Sequence, residues 1–124
     1  MPPALTLALA MFAVVSGAGA QTPDGARFFQ RCFACHSLEP GDRNLSGPTL
    51  RGVFGRRAGT ADGFEYSPAM REAGERGLVW GAETLDRFLE DPEDFLPGAR
   101  MAGVWLRDPI ERGTLIRWLK TVAR

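Results

Sequence analysis

The sequence contains only one histidine and two cysteines in 124 residues. A structural zinc site needs four side-chain ligands, so zinc in this chain would require a carboxylate as the fourth ligand. Fifteen basic and fifteen acidic residues give a formal net charge of zero, which provides no strong attraction to nucleic acid or to acidic lipid. These counts direct attention to the one place where both cysteines and the histidine meet.

Strand-like alternation of apolar and polar residues is also missing, and no segment is repeated. Apolar residues recur instead at helical spacing, which predicts one small all-α domain. The first, second and last helices begin with a Thr, Ser or Asp cap followed by proline, whereas only Gly81 precedes the third. Pro92 and Pro97 predict a loop after the third helix. The predicted helices run from Thr22 into residues 32–36, from Ser67 to Gly74, over residues 82–91 and from Asp108 to Val122.

Residues 1–20 form a separate N-terminal segment. The apolar run from Leu5 to Val15 is too short for a comfortable membrane span, and residues 18–20 have the small-residue pattern of a cleavage site. No Lys or Arg precedes the run, which leaves a retained N-terminal anchor as the alternative. We predict a signal peptide at residues 1–20 and one exported, periplasmic domain at residues 21–124.

The cysteines and the histidine lie in one motif, Cys32-Phe33-Ala34-Cys35-His36. Cysteines three residues apart lie on one face of a helical turn, where both sulfurs can bond to the vinyl groups of one porphyrin. His36 can then present an imidazole nitrogen to the iron. A redox disulfide of the thioredoxin type is the alternative, but that motif normally follows a strand of a βαβ unit. The motif therefore predicts covalent attachment of one c-type haem.

A haem iron bound by one histidine has a second axial position to fill. A second histidine is excluded because His36 is the only one in the chain. Met1 and Met11 lie in the N-terminal segment, and Met70 lies in a helix at a spacing typical of core residues. Met101 follows a Pro-Gly loop, where the backbone is free to direct a thioether inward. The sequence favours Met101 and keeps Met70 as the alternative.

Several further motifs accompany the haem motif in a fixed order. They are NLSGPTLRGVFGRRAGT at residues 44–60, GFEYSPAM at 63–70, Trp80, FLPGARM at 95–101 and the helix around residues 115–119. Together with CFACH they resemble a class I monohaem cytochrome c, of the kind related to the mitochondrial carrier and its photosynthetic-bacterial counterparts. The resemblance covers nearly all of residues 24–122. It implies the small class I cytochrome c fold, with crossing N- and C-terminal helices and loops that wrap one covalent haem.

The resemblance also implies a role for each matching residue. Cys32 and Cys35 would carry the thioether bonds, and His36 and Met101 would be the axial ligands. The Pro48 carbonyl would accept a hydrogen bond from the other imidazole nitrogen and so fix the orientation of the ring. Three side chains match positions that hydrogen-bond a haem propionate, with buried aromatic packing as the alternative for the last two: Arg56, Tyr66 and Trp80. On the terminal helices, the residues expected to cross are Gly25 and Phe29 with Leu115 and Trp118.

Three residues depart from the family pattern. Phe88 stands where relatives often have a tyrosine that faces the methionine sulfur, so that hydrogen bond should be missing. Ala99 replaces a threonine whose hydroxyl usually binds a propionate, and Gly103 replaces the usual phenylalanine two residues after Met101. These differences concern the distal ligand and the surface that faces a partner.

Charge is unevenly distributed along the chain. Residues 21–57 have six arginines against three acidic residues, residues 58–96 have three against ten, and residues 97–124 have six basic residues against two. The segments that carry the expected iron ligands are basic, which favours fast, salt-sensitive docking to an acidic partner. The candidate basic ring consists of Arg27, Arg31, Arg51 and Arg100.

The resemblance implies a soluble, monomeric periplasmic carrier of single electrons and not an enzyme. Its partners would be redox proteins: a membrane oxidase, a reductase, a reaction centre or a periplasmic dehydrogenase. One alternative is a haem peroxidase or ligand-binding sensor in which Met101 leaves the iron, although the chain offers no distal histidine or general base. Another is a haem subunit that works within a dehydrogenase or oxidase complex.

Overall fold

The computed structural model describes residue 1 and residues 24–42, 45–101 and 103–124. The described chain is helical, and its one β-type pairing is an isolated antiparallel bridge between Arg57 and Val79. The all-α class predicted from the sequence is confirmed. The helices are α1 (Asp24–Phe29), α2 (Pro68–Glu75), α3 (Ala82–Glu90), α4 (Pro92–Phe95) and α5 (Pro109–Val122).

The predicted helix starts are explained by their caps. The Ser67 hydroxyl accepts a hydrogen bond from the Met70 N–H at 3.2 Å, and the Asp108 carboxylate accepts one from the Ile110 N–H at 2.8 Å. Gly81 has no side chain to cap α3. The Thr84 hydroxyl compensates by accepting a hydrogen bond from the Gly81 N–H at 2.8 Å, so the backbone donor before this helix still has a partner.

Several predicted boundaries were wrong. Residues 92–95 form the short helix α4 and not a loop, because the Asp91 side chain caps it at the Asp94 N–H and Pro92 occupies its first turn. Helix α1 ends at Phe29 and does not reach the cysteine motif, which continues as hydrogen-bonded turns. Helix α2 extends one residue past the predicted end at Gly74, and the expected cap Thr22 lies outside the described residues.

Helices α1 and α5 cross in direct contact. Gly25 lies against Trp118, and a methyl group in place of the glycine hydrogen would overlap the Trp118 Cβ atom. The rings of Phe29 and Trp118 are neighbours, with centroids 5.3 Å apart, and Phe29 and Leu115 are almost completely buried. The predicted crossing is therefore confirmed, and it depends on the absence of a side chain at Gly25.

The remaining helices are fixed to this pair or to the irregular chain of residues 45–66, which we call the long loop. Helix α3 packs on α5 and on α4. Helix α2 packs on the loop of residues 51–60, where Gly74 lies directly against the Ala58 carbonyl. The same loop is joined to the chain after α5 by a hydrogen bond from the Gly52 N–H to the Ala123 carbonyl, 2.8 Å long. Five helices and one long loop thus enclose a shared interior.

In the part of the chain that the structure describes, no helix has the length and apolarity to cross a membrane. The predicted signal peptide, apart from residue 1, lies outside the described residues, as does the predicted cleavage site.

The α1–α5 crossing generates a prediction about two glycines. Alanine is the better helix former, so propensity alone would make either Gly→Ala change stabilising by roughly 0.5–1 kcal/mol. We expect this gain for Gly113→Ala in α5, where a Cβ would meet only the mobile Arg117 side chain. Gly25→Ala should instead lower the free energy of unfolding by about 1–3 kcal/mol because it forces α1 away from α5. Denaturant titration of the two variants tests this, and equal effects would contradict it.

Candidate functional site

The interior of the protein contains an apolar cavity of about 270 Å³. Its wall is also the hydrophobic core, since many of the most deeply buried side chains face it. They come from α1, the long loop, α3 and α5, so elements from both ends of the chain meet at this cavity. The buried hydrophobic residues that line it are Phe29, Val53, Tyr66, Trp80, Leu85, Phe88, Leu89, Leu115 and Leu119.

Both cysteines and the histidine of the motif line this cavity. Turns that follow α1 place them there: the Cys32 N–H bonds to the Phe29 carbonyl at 2.8 Å, and the His36 N–H bonds to the Cys32 carbonyl at 2.8 Å. Cys35 is exposed and Cys32 is half-buried. The two thiols are therefore at the rim of an apolar cavity, with the imidazole beside them.

The His36 ring is fixed by its neighbours. Its Nδ1 atom lies 2.7 Å from the Pro48 carbonyl, the hydrogen bond expected from the resemblance. This contact makes Nδ1 the protonated nitrogen and leaves Nε2 as the one with a lone pair for a metal. Burial lowers the pKa of His36, outweighing the bond to Pro48, so the ring is held in the neutral form that binds metals.

Gly47 also fixes the imidazole, and sequence reasoning did not single it out. A Cβ atom at this position would lie 2.5 Å from the His36 Cε1 atom, so only glycine leaves room for the ring. The Gly47 N–H donates to the Cys35 carbonyl at 2.8 Å and so attaches this part of the loop to the motif. The available signal was its place in the matching motif directly before Pro48.

The thiol chemistry of Cys32 differs from that of a redox disulfide. Burial raises the pKa of Cys32 to about 11, against a smaller lowering by the nearby Arg31. Reactive cysteines of the thioredoxin type have a lowered pKa, because the thiolate is the nucleophile. A redox disulfide needs a lowered cysteine pKa, whereas the environment of Cys32 raises it.

Zinc also lacks the ligands it would need. Across residues 24–42, 45–101 and 103–124, no three Cys, His, Asp or Glu side chains are grouped as a metal site. The coordinating atoms at the cavity are two thiols, one imidazole and thioethers, a combination that fits a covalently attached haem.

Two methionines reach the cavity, Met101 and Met70. Both are half-buried and pack against the core. Met70 lies in the first turn of α2, where its N–H bonds to the Ser67 cap. Met101 lies in an irregular segment whose start is fixed by a 3.2 Å bond from the Arg100 guanidinium to the Glu65 carbonyl. Position alone leaves both as candidate ligands, and the resemblance favours Met101.

The three expected propionate contacts lie together. A hydrogen bond joins the backbones of Arg56 and Trp80, since the Trp80 N–H donates to the Arg56 carbonyl at 2.9 Å. The Arg56 guanidinium also donates to the Thr49 carbonyl at 3.0 Å, and the Tyr66 hydroxyl accepts from the Ala61 N–H at 3.0 Å. Arg56, Tyr66 and Trp80 all line the cavity with polar groups able to donate hydrogen bonds.

The departures from the family pattern have visible consequences. Phe88 is buried against Trp80, with ring centroids 5.1 Å apart, and presents no hydroxyl to the cavity it lines. Ala99 is buried outside the cavity wall. Gly103 has φ +77°, a left-handed conformation that a phenylalanine would adopt only with strain.

Every charged side chain that lines the cavity is an arginine: Arg31, Arg56 and Arg100, with no aspartate or glutamate among the described lining residues. Two members of the expected ring lie elsewhere. Arg51 lines a second cavity of about 310 Å³, which Arg56 also lines, and the Arg27 guanidinium lies over the Phe28 ring at 5.1 Å. The structure thus brings Arg31 and Arg100 to the cavity and leaves Arg27 and Arg51 outside it.

The chain was also compared with known proteins, and no family model matches it. It is 39% identical over 97 residues to cytochrome c-550 of Ancylobacter novellus, which covers 78% of this chain and 91% of that protein. It is 38% identical over 97 residues to cytochrome c2 of Afifella marina, covering 78% of each. The solved structure of cytochrome c2 from Rhodospirillum centenum matches with a TM-score of 0.74 at 37% identity, covering 81% of this chain and 96% of that one. Residue pattern, fold and relatives agree, and the chain belongs to the class I cytochrome c family, electron-transfer proteins that carry a covalently bound haem c.

Proposed function

We propose that this protein is an exported, periplasmic carrier of single electrons whose haem is held by Cys32, Cys35, His36 and Met101. One observation carries the proposal: Cys32, Cys35, the oriented His36 imidazole and Met101 line one apolar cavity whose charged lining, among the described residues, is arginine. Bacterial relatives named cytochrome c2 and cytochrome c-550 support the same function.

In this proposal each residue has a distinct task. Cys32 and Cys35 would form the two thioether bonds, and His36 would coordinate through Nε2 because Nδ1 is bonded to Pro48. Arg56, Tyr66 and Trp80 would hydrogen-bond the propionates from the polar side of the cavity. When bound, haem c supplies one iron that alternates between the ferrous and ferric states.

The surroundings would favour the ferrous state. Methionine is a soft, neutral ligand, and the wall of the cavity is mainly aromatic and aliphatic. A low local dielectric disfavours the extra positive charge of the ferric centre. The wall of this cavity would therefore raise the reduction potential.

The arginines would direct the approach of a partner. Arg31, directly before the attachment motif, and Arg100 are exposed and line the cavity, so an acidic redox protein would be drawn to this side of the molecule. We therefore include an acidic redox partner and a transient complex in the proposal, with the protein itself a monomer. The enzyme alternative is not retained, because the relatives are electron-transfer proteins.

The assignment of the sulfur ligand is tested with two matched variants. Met101→Ala should remove the far-red sulfur-to-iron absorption band of the ferric protein and lower its reduction potential. Met70→Ala should keep the band, although it removes an equally long side chain from the same cavity. Absorption spectra and redox titration of both variants decide the matter. A band that persists in Met101→Ala and disappears in Met70→Ala would make Met70 the ligand.

The docking surface is tested by ionic strength. Replacing Arg31 and Arg100 together with glutamine should slow electron transfer to an acidic redox protein by roughly tenfold at low salt, since electrostatic steering contributes factors of about 10–1,000. The difference should shrink as salt screens the charges. Arg76→Gln is the control, because this exposed arginine directly after α2 pairs with Glu72 and does not line the cavity. Stopped-flow rates that are the same for wild type and double variant at low salt would contradict the proposal.

A further inference from the structure

A buried arginine outside the cavity joins three parts of the fold. The Arg112 side chain in α5 is only 6% exposed. Its Nε atom donates to the Asp86 carboxylate of α3 at 2.8 Å, and its Nη1 atom donates to the carbonyls of Leu106 and Arg107 at 2.8 and 2.9 Å. Burying a charged group is costly without such partners, so the position is a specific one.

The same segment is also held from its other side. The Leu106 N–H donates to the Leu89 carbonyl of α3 at 2.9 Å, and Leu106 is 3% exposed. Both peptide groups of Leu106 are therefore fixed, one by α3 and one by Arg112 of α5. Because Asp86 and Leu89 belong to the same helix, these bonds form a closed loop of contacts that we call the Arg112 clamp: Asp86, Leu89, Leu106 and Arg112.

The clamp lies a short distance along the chain from the proposed ligand. Met101 is five residues before Leu106, and residues 103–107 have no regular structure. On the other side of Met101, the Arg100 guanidinium bonds to the Glu65 carbonyl. Met101 thus lies between an attachment at residue 100 and another at residue 106.

We propose that the Arg112–Asp86 pair is a positioning device that keeps the Met101 segment against the cavity and so limits access of foreign ligands to the sixth iron position. The inference rests on the proposed function, specifically on Met101 as the axial ligand. Arg112 touches neither the cavity nor its lining methionine, and it acts through the backbone of residues 106 and 107.

The test measures how readily an added ligand displaces the methionine. Imidazole is titrated into the ferric holoprotein while the far-red sulfur-to-iron band is followed. Arg112→Lys keeps the positive charge but cannot reach three acceptors with a planar fork. It should lower the Kd for imidazole by about tenfold, equivalent to about 1.4 kcal/mol. Asp86→Ala should lower it by a smaller factor, since the two carbonyl bonds of Arg112 remain.

The control is Arg117→Lys, in the same helix. Arg117 is exposed and donates a hydrogen bond to the Thr114 hydroxyl at 3.3 Å. The Kd of the Arg117→Lys protein for imidazole should therefore match that of the wild type. Denaturant unfolding of all variants is measured in parallel, because a purely structural role lowers global stability without changing imidazole affinity. If Arg112→Lys does not accumulate, Asp86→Ala carries the test, since its side chain is 41% exposed and less tightly packed.

Three outcomes are informative. Tighter imidazole binding in the clamp variants and not in Arg117→Lys supports the proposal. Unchanged imidazole affinity in the clamp variants, with a normal far-red band in the wild type, overturns the clamp and leaves the proposed function intact. A wild-type holoprotein without the band overturns methionine ligation and the clamp together.

Discussion

The contact between the apolar cavity and the group that fills it is the constraint on which the whole structure depends. The side chains that form the core are largely those that face the cavity, including Phe29, Leu85 and Leu115. The stability of a small domain is a small difference between large opposing terms, so additional buried apolar surface matters. A covalently bound porphyrin supplies that surface, and in the proposed function it is joined to the chain at Cys32 and Cys35. The packing of this core and the binding of the cofactor therefore depend on each other.

Around that cavity, irregular segments of the described chain position the side chains, as a sheet does in other folds. The loop carries the Pro48 carbonyl that orients His36, and it places Gly47 where the ring needs space. A backbone hydrogen bond between Arg56 and Trp80 keeps these two expected propionate contacts together. The geometry needed for a long-lived iron site therefore comes from short-range loop contacts that α2, α3 and α5 hold in place.

Much of this could be predicted from the sequence. Helical spacing, proline positions and caps such as Ser67 and Asp108 fix local backbone choices, and local choices are visible in a linear pattern. Tertiary contacts are not visible in such a pattern. The Asp91 cap that turns residues 92–95 into a helix was overlooked in favour of the prolines, although its signal is local. The need for glycine beside His36 and the bond of Arg112 to Asp86 of α3 depend on contacts between segments that are well separated in the sequence, which no short window reveals.

The central claim is that one haem is covalently bonded to both cysteines of this chain. Acid–acetone extraction of the purified protein, followed by intact mass measurement, tests it most directly. The account predicts that the pigment stays with the polypeptide, that the mass exceeds that of the protein part by one haem, and that no free thiol titrates. Pigment that is fully extracted, leaving a colourless chain with two titratable thiols, would contradict it.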